Sequence, residues 1–341
     1  MSLIDVETYL TSDRHATIDV RSPGEFAHGH IPGAVNVPLF DDEQRAEVGT
    51  LYKQSGRDAA MVRGLQIVGE KADRFLDGVR KAKVQKDCFV HCWRGGMRSE
   101  GFAWFLKGCE MQPRRIDGGY KAYRRAARVG FAAPQKIVIL AGSTGAGKTR
   151  LLGALHEHGE QVIDLEGLAN HRGSAFGGIG QPLQPTVEQF ENDLFMQWRA
   201  LDPNRPVWIE CESRSIGKAF LPAEVWAQMS VAPAVNVEVP RAERVAFLIE
   251  EYGALPNEEH EVAIRKIAKR LGGDRLQAAL AALEQNDLTS FTDIALEYYD
   301  KAYDRSQAKH PRTRMATIQL QRSGQEDSVN ELCKAASDLF D

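Results

Sequence analysis

The chain alternates short apolar runs with amphipathic stretches, in two successive series. In the first, Thr17-Ile18-Asp19-Val20 reads as a strand that stops at Arg21-Ser22-Pro23-Gly24. Cys88 to His91 reads as another strand, and Arg98 to Leu106 as a helix that opens just after Gly95-Gly96. The second series starts with an apolar strand from Lys136 to Ala141, runs through a glycine-rich loop and enters a helix. Further buried strands are expected at Gln161 to Asp164, Val207 to Glu210 and Val235 to Val239. From Glu258 onward the pattern turns helical: Leu276, Ala279, Leu280 and Leu283 recur at i, i+3, i+4 and i+7. Strands alternating with helices predict an α/β protein built on parallel sheets. Pro134 punctuates the two series. The predicted organisation is one α/β domain over residues 1–130 and a second over 131–341 with a helical C-terminal part.

The length of 341 residues agrees with two domains at about 150 residues each. The apolar share of 43% and charged share of 26% are those of a soluble globular protein. No apolar run approaches the roughly 20 residues of a membrane helix. The N-terminal MSLIDVETYL has neither the basic region nor the apolar core of a secretory signal. The five cysteines, Cys88, Cys92, Cys109, Cys211 and Cys333, are odd in number and irregularly spaced. They predict a reduced, cytoplasmic protein without a disulfide framework or a structural zinc site. A net charge of −4 argues against a globally basic nucleic-acid binder. Three local basic clusters remain: Arg114, Arg115, Lys121, Arg124, Arg125 and Arg128; Arg265, Lys266, Lys269 and Arg270; Lys301, Arg305, Lys309, Arg312 and Arg314. Each is either a solvated helix face or a grip on phosphates.

Two loops carry candidate chemistry. In the first, His91 to Ser99 (HCWRGGMRS), Cys92 follows an apolar strand and precedes a helix. Its glycines let several amides point into one concave loop, a nest that attracts an anion and stabilises a thiolate. Arg94 and Arg98 add positive charge and potential bidentate contacts to an oxyanion. Cys92 is thus a candidate nucleophile over an anion cradle, whereas Cys88, at a strand start, reads as core.

The second loop is the P-loop Gly142, Ser143, Thr144, Gly145, Ala146, Gly147, Lys148 and Thr149, in its defining strand–loop–helix context. Its amides are expected to cradle a di- or triphosphate. Lys148 supplies charge, and the Thr149 hydroxyl is a candidate ligand for Mg²⁺. Candidates for a supporting acid or ligand contact are Asp164, Glu166, His171 and Arg172 in a glycine-dense stretch, and Glu210, Glu212 and Arg214 past another strand. The glycine-dense stretch reads as a flexible loop over the phosphate site.

Asp19 to Pro38 (DVRSPGEFAHGHIPGAVNVP) is similar to the N-terminal signature of rhodanese domains, and Ile116 to Arg124 (IDGGYKAYR) resembles their closing segment. The spacing from Cys92 to Arg98, preceded by His91, is also that of cysteine phosphatases, some of which share that fold. A phosphatase fused to a kinase-like module therefore stays open, as does a binding module with an idle Cys92. The chain as a whole resembles the tRNA 2-selenouridine synthases through HCWRGGMRS, GSTGAGKT, DLEGLANHRGSAFGG (Asp164 to Gly178) and ECESRSIG (Glu210 to Gly217). That resemblance implies a rhodanese-like domain joined to a P-loop NTPase-like domain.

It also implies an enzyme acting on the wobble uridine of tRNA. The sulfur of 2-thiouridine is first alkylated by geranyl diphosphate. Selenophosphate then supplies selenium, and the alkylated sulfur leaves as a thiol. The P-loop would hold the diphosphate, and Cys92, Arg94 and Arg98 would serve the selenium step, with Cys92 either forming a perselenide or assisting transfer. No tightly bound cofactor is implied. The tRNA is bound through its anticodon region, and the enzyme that makes selenophosphate is a candidate partner. An apolar groove for geranyl has Phe176, Phe190, Phe195 and Trp198 as candidates, each of which also reads as core.

Overall fold

A computed structural model describes residues 2–12, 15–309, 312 and 314–340. The chain forms two compact units, Met1–Gly130 with Glu191–Met196, and Phe131–Phe190 with Gln197–Asp341.

The first unit contains β1 (Leu3–Ile4), β2 (Ala16–Asp19), β3 (Val35–Asn36), β4 (Asp87–His91) and β5 (Gln112–Ile116). They form one parallel sheet in the order β1-β5-β4-β2-β3. Ile18, Cys88 and Val90 on its central strands are fully buried with Phe102 and Leu106 of the helix Met97–Gly108. Side chains of this size contribute about 1.5–3 kcal/mol each when fully buried. Burial also raises the Cys88 thiol to about 11, with Asp87 adding to the effect, so Cys88 is an inert core residue. The helix Pro23–His28 starts with proline and a capping box, in which Ser22 and Glu25 satisfy each other's amides. The long helix Asp42–Gly69 opens with the same device, Asp41 and Gln44, and kinks at Gly56.

The second unit contains β6 (Lys136–Gly142), β7 (Gln161–Ile163), β8 (Pro206–Glu210), a short hairpin of β9 (Ser215–Ile216) and β10 (Ala219–Phe220), β11 (Ala234–Glu238) and β12 (Met315–Gln319). Its parallel sheet runs β12-β11-β6-β8-β7, with β6 at the centre. Val138, Leu140, Trp208 and Val235 meet Leu151 and Leu155 of the helix Lys148–Glu157 in one core. The helical part has its own core, in which Ala279 and Leu283 of the helix Gly273–Glu284 are buried with Phe291. One strand ends earlier than its apolar run suggests. Asp164 caps the helix Leu165–Ala169 by accepting from the Gly167 amide at 2.7 Å, and β7 stops at Ile163. Among the described residues, no helix is long and apolar enough to cross a membrane.

Candidate active sites of the two units

Cys92 directly follows β4 and packs with the core of the first unit; it is 3% exposed. Its Sγ lies 3.4 Å from Ser99 Oγ, and that hydroxyl donates to the Gly96 carbonyl at 3.0 Å. The amides of Arg94, Gly95, Gly96 and Met97 donate to no protein acceptor among the described residues, which leaves them for an anion. The loop is closed from behind by the segment that follows β5. Tyr120 N donates to Cys92 O and Lys121 N to Trp93 O, both at 2.9 Å. Gly119 makes this approach possible. At φ +56°, a Cβ there would sit 2.3 Å from the Cys92 carbonyl oxygen.

The two arginines of the loop part company. Arg98 donates to Glu25 at 2.8 Å, tying the loop to the Ser22–Glu25 capping box, while Arg94 is exposed. Burial pushes the Glu25 carboxyl up, but the Arg98 hydrogen bond and charge outweigh it and hold it below its ordinary value. Of the two cationic arms of the loop, Arg98 is thus engaged by Glu25 and Arg94 reaches solvent. Beneath the loop, Arg21 binds Asp19 through Nε and Nη2, donates to Gly29 O at 2.7 Å and stacks on Tyr120. His91 is wholly buried 3.8 Å from Asp19, and burial lowers its pKa, Asp19 opposing, so the ring is neutral. Desolvation raises Asp19, but the His91 charge where the ring is protonated, and the Arg21 hydrogen bonds and charge, outweigh it and hold the carboxyl below its ordinary value.

In the second unit, six P-loop residues line a cavity of about 360 Å³: Gly142, Thr144, Gly145, Gly147, Lys148 and Thr149. Ser143 turns the loop by accepting from Ala146 N, and Ala146 points into the core. Lys148 Nζ donates to Gly142 O at 2.9 Å across the loop. Gly147 must be glycine for a local reason. Its φ is +78°, and a Cβ would lie 2.2 Å from Gly324 N, which donates to Ala146 O. Arg244, itself buried, donates to Thr144 O at 3.0 Å and is clamped by Asp300.

The carboxylates of Glu166 and Glu212 line this cavity beside the P-loop. Thr149 Oγ1 and Glu166 Oε2 are 3.5 Å apart. A Cβ on Gly173 would lie 2.6 Å from Glu212 Oε1 and 2.8 Å from Glu166 Oε1, so both carboxylates face one small space. Burial, and then Glu166, push the Glu212 carboxyl up to about 8, with Lys148 pulling the other way. Burial raises Glu166 as well. Glu210 lies behind them, 2% exposed; it accepts from Glu166 N at 2.7 Å, and burial raises it strongly. A hydroxyl and carboxylates around one space are hard oxygen donors that fit Mg²⁺.

The other candidates separate cleanly. Arg172 lines the cavity, pairs with Glu251 at 3.0 Å and lies over the Tyr252 ring. Asp164 is a helix cap, and His171 and Arg214 lie outside the cavity lining, Arg214 exposed. Of the aromatic candidates, Phe176 lines the cavity. Phe190, Phe195 and Trp198 are buried on the helix Val187–Trp198 and do not, because that helix uses its aromatics for packing. The cavity's remaining Phe and Tyr residues, Phe247, Tyr252, Phe291, Tyr299 and Tyr303, come from the helices Arg241–Tyr252 and Leu288–Lys309, and no local motif singles them out in the sequence.

The basic clusters also divide. In the first, Arg115 and Arg124 are buried and bonded to Gly95 O and Asn192, while Lys121, Arg125 and Arg128 form an exposed stripe on one helix. The second is exposed throughout. In the third, Arg312 and Arg314 cap carbonyls of Met229, Ala232 and Leu339, and the Lys309 side chain lies outside the described residues.

Fold and loops together define a protein class: a cysteine-loop domain of rhodanese type followed by a P-loop domain. A family model for the rhodanese-like domain matches residues 3–126, and one described as the tRNA 2-selenouridine synthase AAA domain matches residues 135–338. The chain is 33% identical over 341 residues to the tRNA 2-selenouridine synthase of Nitrosomonas europaea, covering 84% of this chain and 87% of the relative. It is 37% identical to that of Hydrogenovibrio crunogenus (84% and 88%) and 36% to that of Marinobacter nauticus (84% and 87%). The chain belongs to the tRNA 2-selenouridine synthase family and is an enzyme.

Proposed function

We propose that the protein converts wobble 2-thiouridine of tRNA to 2-selenouridine in two steps at two sites. The observation that carries this is the presence of two differently equipped anion cradles: a P-loop with a lysine beside a chamber of carboxylates and apolar walls, and a cysteine loop whose amides donate to no protein acceptor among the described residues. In the first step, the thiouridine sulfur attacks C1 of geranyl diphosphate, the C1–O bond breaks, diphosphate leaves and the N3 proton is lost. The P-loop amides and Lys148 hold the charge that develops on the departing diphosphate. Thr149 and Glu166, with Glu212 beside them, would hold Mg²⁺, which supplies further neutralisation of that anion.

In the second step, selenophosphate is bound by the amides of residues 94–97. Its selenium adds to C2, geranylthiol leaves, and water takes the phosphoryl group as phosphate. S-alkylation is what makes the sulfur a competent leaving group. Cys92, at the floor of the loop, assists this transfer. A Cys92 perselenide would need two electrons to leave with phosphorus, as phosphite; direct transfer needs no outside oxidant and is the preferred route. The exposed stripe of Lys121, Arg125 and Arg128 is the candidate grip on tRNA phosphates.

Nucleoside mass spectrometry tests the reading, with 2-thiouridine tRNA, geranyl diphosphate and then selenophosphate. An alkylated nucleoside followed by selenouridine is expected. Unchanged 2-thiouridine, together with hydrolysis of an aryl phosphate, would instead establish a phosphatase.

A further inference from the structure

The P-loop cavity has two chemically different ends. At one end stand Lys148, Thr149 and the carboxylates. Beyond them the walls are Phe247 and Leu248 on one helix and Phe291, Ala295, Leu296 and Tyr299 on another. The tyrosines of this region have their hydroxyls occupied by protein. Tyr299 Oη accepts from Ala175 N at 3.1 Å, Tyr303 donates to Asn236 at 3.0 Å, and Tyr252 is bonded to Arg172. What they offer the cavity is ring surface. His260 closes the same end at 3% exposure, edge-on to Phe291, and burial keeps its ring neutral. The polar groups of this end are Ser174, Thr292 and His260, whose ring nitrogens have no hydrogen-bond partner among the described residues; the rest of the wall is aromatic and aliphatic and matches an apolar chain.

The orientation of the wall helix Leu288–Lys309 gives the chamber a direction. Asp300 is tied through Arg244 to the P-loop carbonyl of Thr144. Phe291 lies nine residues earlier, so about 14 Å farther along the helix at 1.5 Å per residue. There it packs edge-on against Phe176, forming the far end.

Resting on the prenyl-transfer reading, we infer that this chamber is the binding site for the apolar tail of the diphosphate substrate, and that Phe291, backed by Phe176 and His260, is the floor that limits tail length. The tail lies along the wall helix with its first carbon at the end lined by the P-loop and the carboxylates. Length selection is steric: a longer tail must displace the Phe291 ring.

Calorimetric binding to the full-length protein with Mg²⁺ needs no tRNA turnover, so it separates this inference from the reading beneath it. Dimethylallyl, geranyl and farnesyl diphosphates are the probes. Each fully buried methylene is worth about fourfold in affinity. Geranyl diphosphate should therefore bind more than about tenfold tighter than dimethylallyl diphosphate, and farnesyl diphosphate no tighter than geranyl. Phe291→Ala should raise the farnesyl-to-geranyl affinity ratio by about tenfold or more. Ala295→Leu, one turn nearer the P-loop, should erase most of the advantage of geranyl over dimethylallyl, and it keeps the test alive if Phe291→Ala fails to fold. Affinities within about twofold across all three lengths, in wild type and variants, would overturn the inference. Length-dependent binding without alkylation of 2-thiouridine tRNA would leave the chamber assigned and defeat the prenyl-transfer reading alone.

Discussion

Both loops follow a buried parallel strand and lead into a helix, yet the groups behind them differ in kind. Behind Cys92 lies a closed, charge-balanced set: Asp19 ionised by Arg21, a neutral His91, and Arg98 answered by Glu25. Behind the P-loop lie three carboxyls, Glu166, Glu210 and Glu212, crowded by burial toward their neutral forms. The first cradle is complete as a protein structure. The second holds carboxyls that burial keeps from ionising and that a bound cation would draw into their charged forms. A rigid nucleophile loop suits a small anion arriving alone, and a carboxyl-rich wall beside the P-loop suits a substrate delivered with its metal.

The sharpest way to break this comparison is at the P-loop charge. Lys148→Ala should slow alkylation by about 10²–10³-fold, as loss of one oxyanion-stabilising group does. Selenium transfer to a pre-alkylated tRNA should be untouched, and nucleoside mass spectrometry on both substrates reads the two separately. Equal loss in both steps would mean that the loops do not divide the work.

A backbone change at the other cradle should have a smaller, opposite effect. Gly119→Ala forces a Cβ against the Cys92 carbonyl and should cost at least about 1–3 kcal/mol of local strain. The displaced loop should slow selenium transfer by roughly 10²-fold or less, with alkylation unchanged. Single-turnover rates for each step check this.

The smallest effect is on pH dependence, and its sign differs between the units. His91 has a folded pKa below its unfolded 6.5. The unfolded chain therefore binds the proton first, and the first unit should lose stability as pH falls below about 6.5. Glu212, raised to about 8 from 4.5, keeps its proton in the folded state. In metal-free protein, the second unit should lose stability as pH rises from about 5 toward 8. Hydrogen exchange at pH 5, 6.5 and 8 resolves the two units. His91→Gln should flatten the acid limb and Glu212→Gln the alkaline one; parallel responses would refute the opposed electrostatics.

Much of this was legible in the sequence because it is local. The loops, their strands and their helices each occupy one short stretch, and glycine placement announces the turns. The stripe at Leu276 to Leu283 was legible for the same reason. The pairing of Arg98 with Glu25 spans 73 residues, and nothing in either segment alone announces it. The chamber was hidden more deeply. Phe291 and Tyr299 fit an apolar helix face equally well against protein or against a cavity, and only the assembled walls tell the two apart. Phe190, Phe195 and Trp198 carry the same two readings, groove or core, and the structure buries them as core. Asp164, Arg312 and Arg314 are polar residues spent on capping backbone groups, a use that composition does not separate from catalysis or tRNA contact.

The lock between Cys92 and Gly119 also constrains how such a chain can be inherited. Residues 92–96 and 116–121 are one object cut into two pieces, joined by carbonyl-to-amide bonds that read no side chain. The helix and strand between them must keep their lengths as well as their packed faces, and only their exposed positions are free to drift. An insertion or deletion there would separate the halves even with every nucleophile and arginine in place. A descendant that retains the cysteine but loses the paired glycine segment should be disarmed, and it would be identifiable as such from its second piece rather than its first.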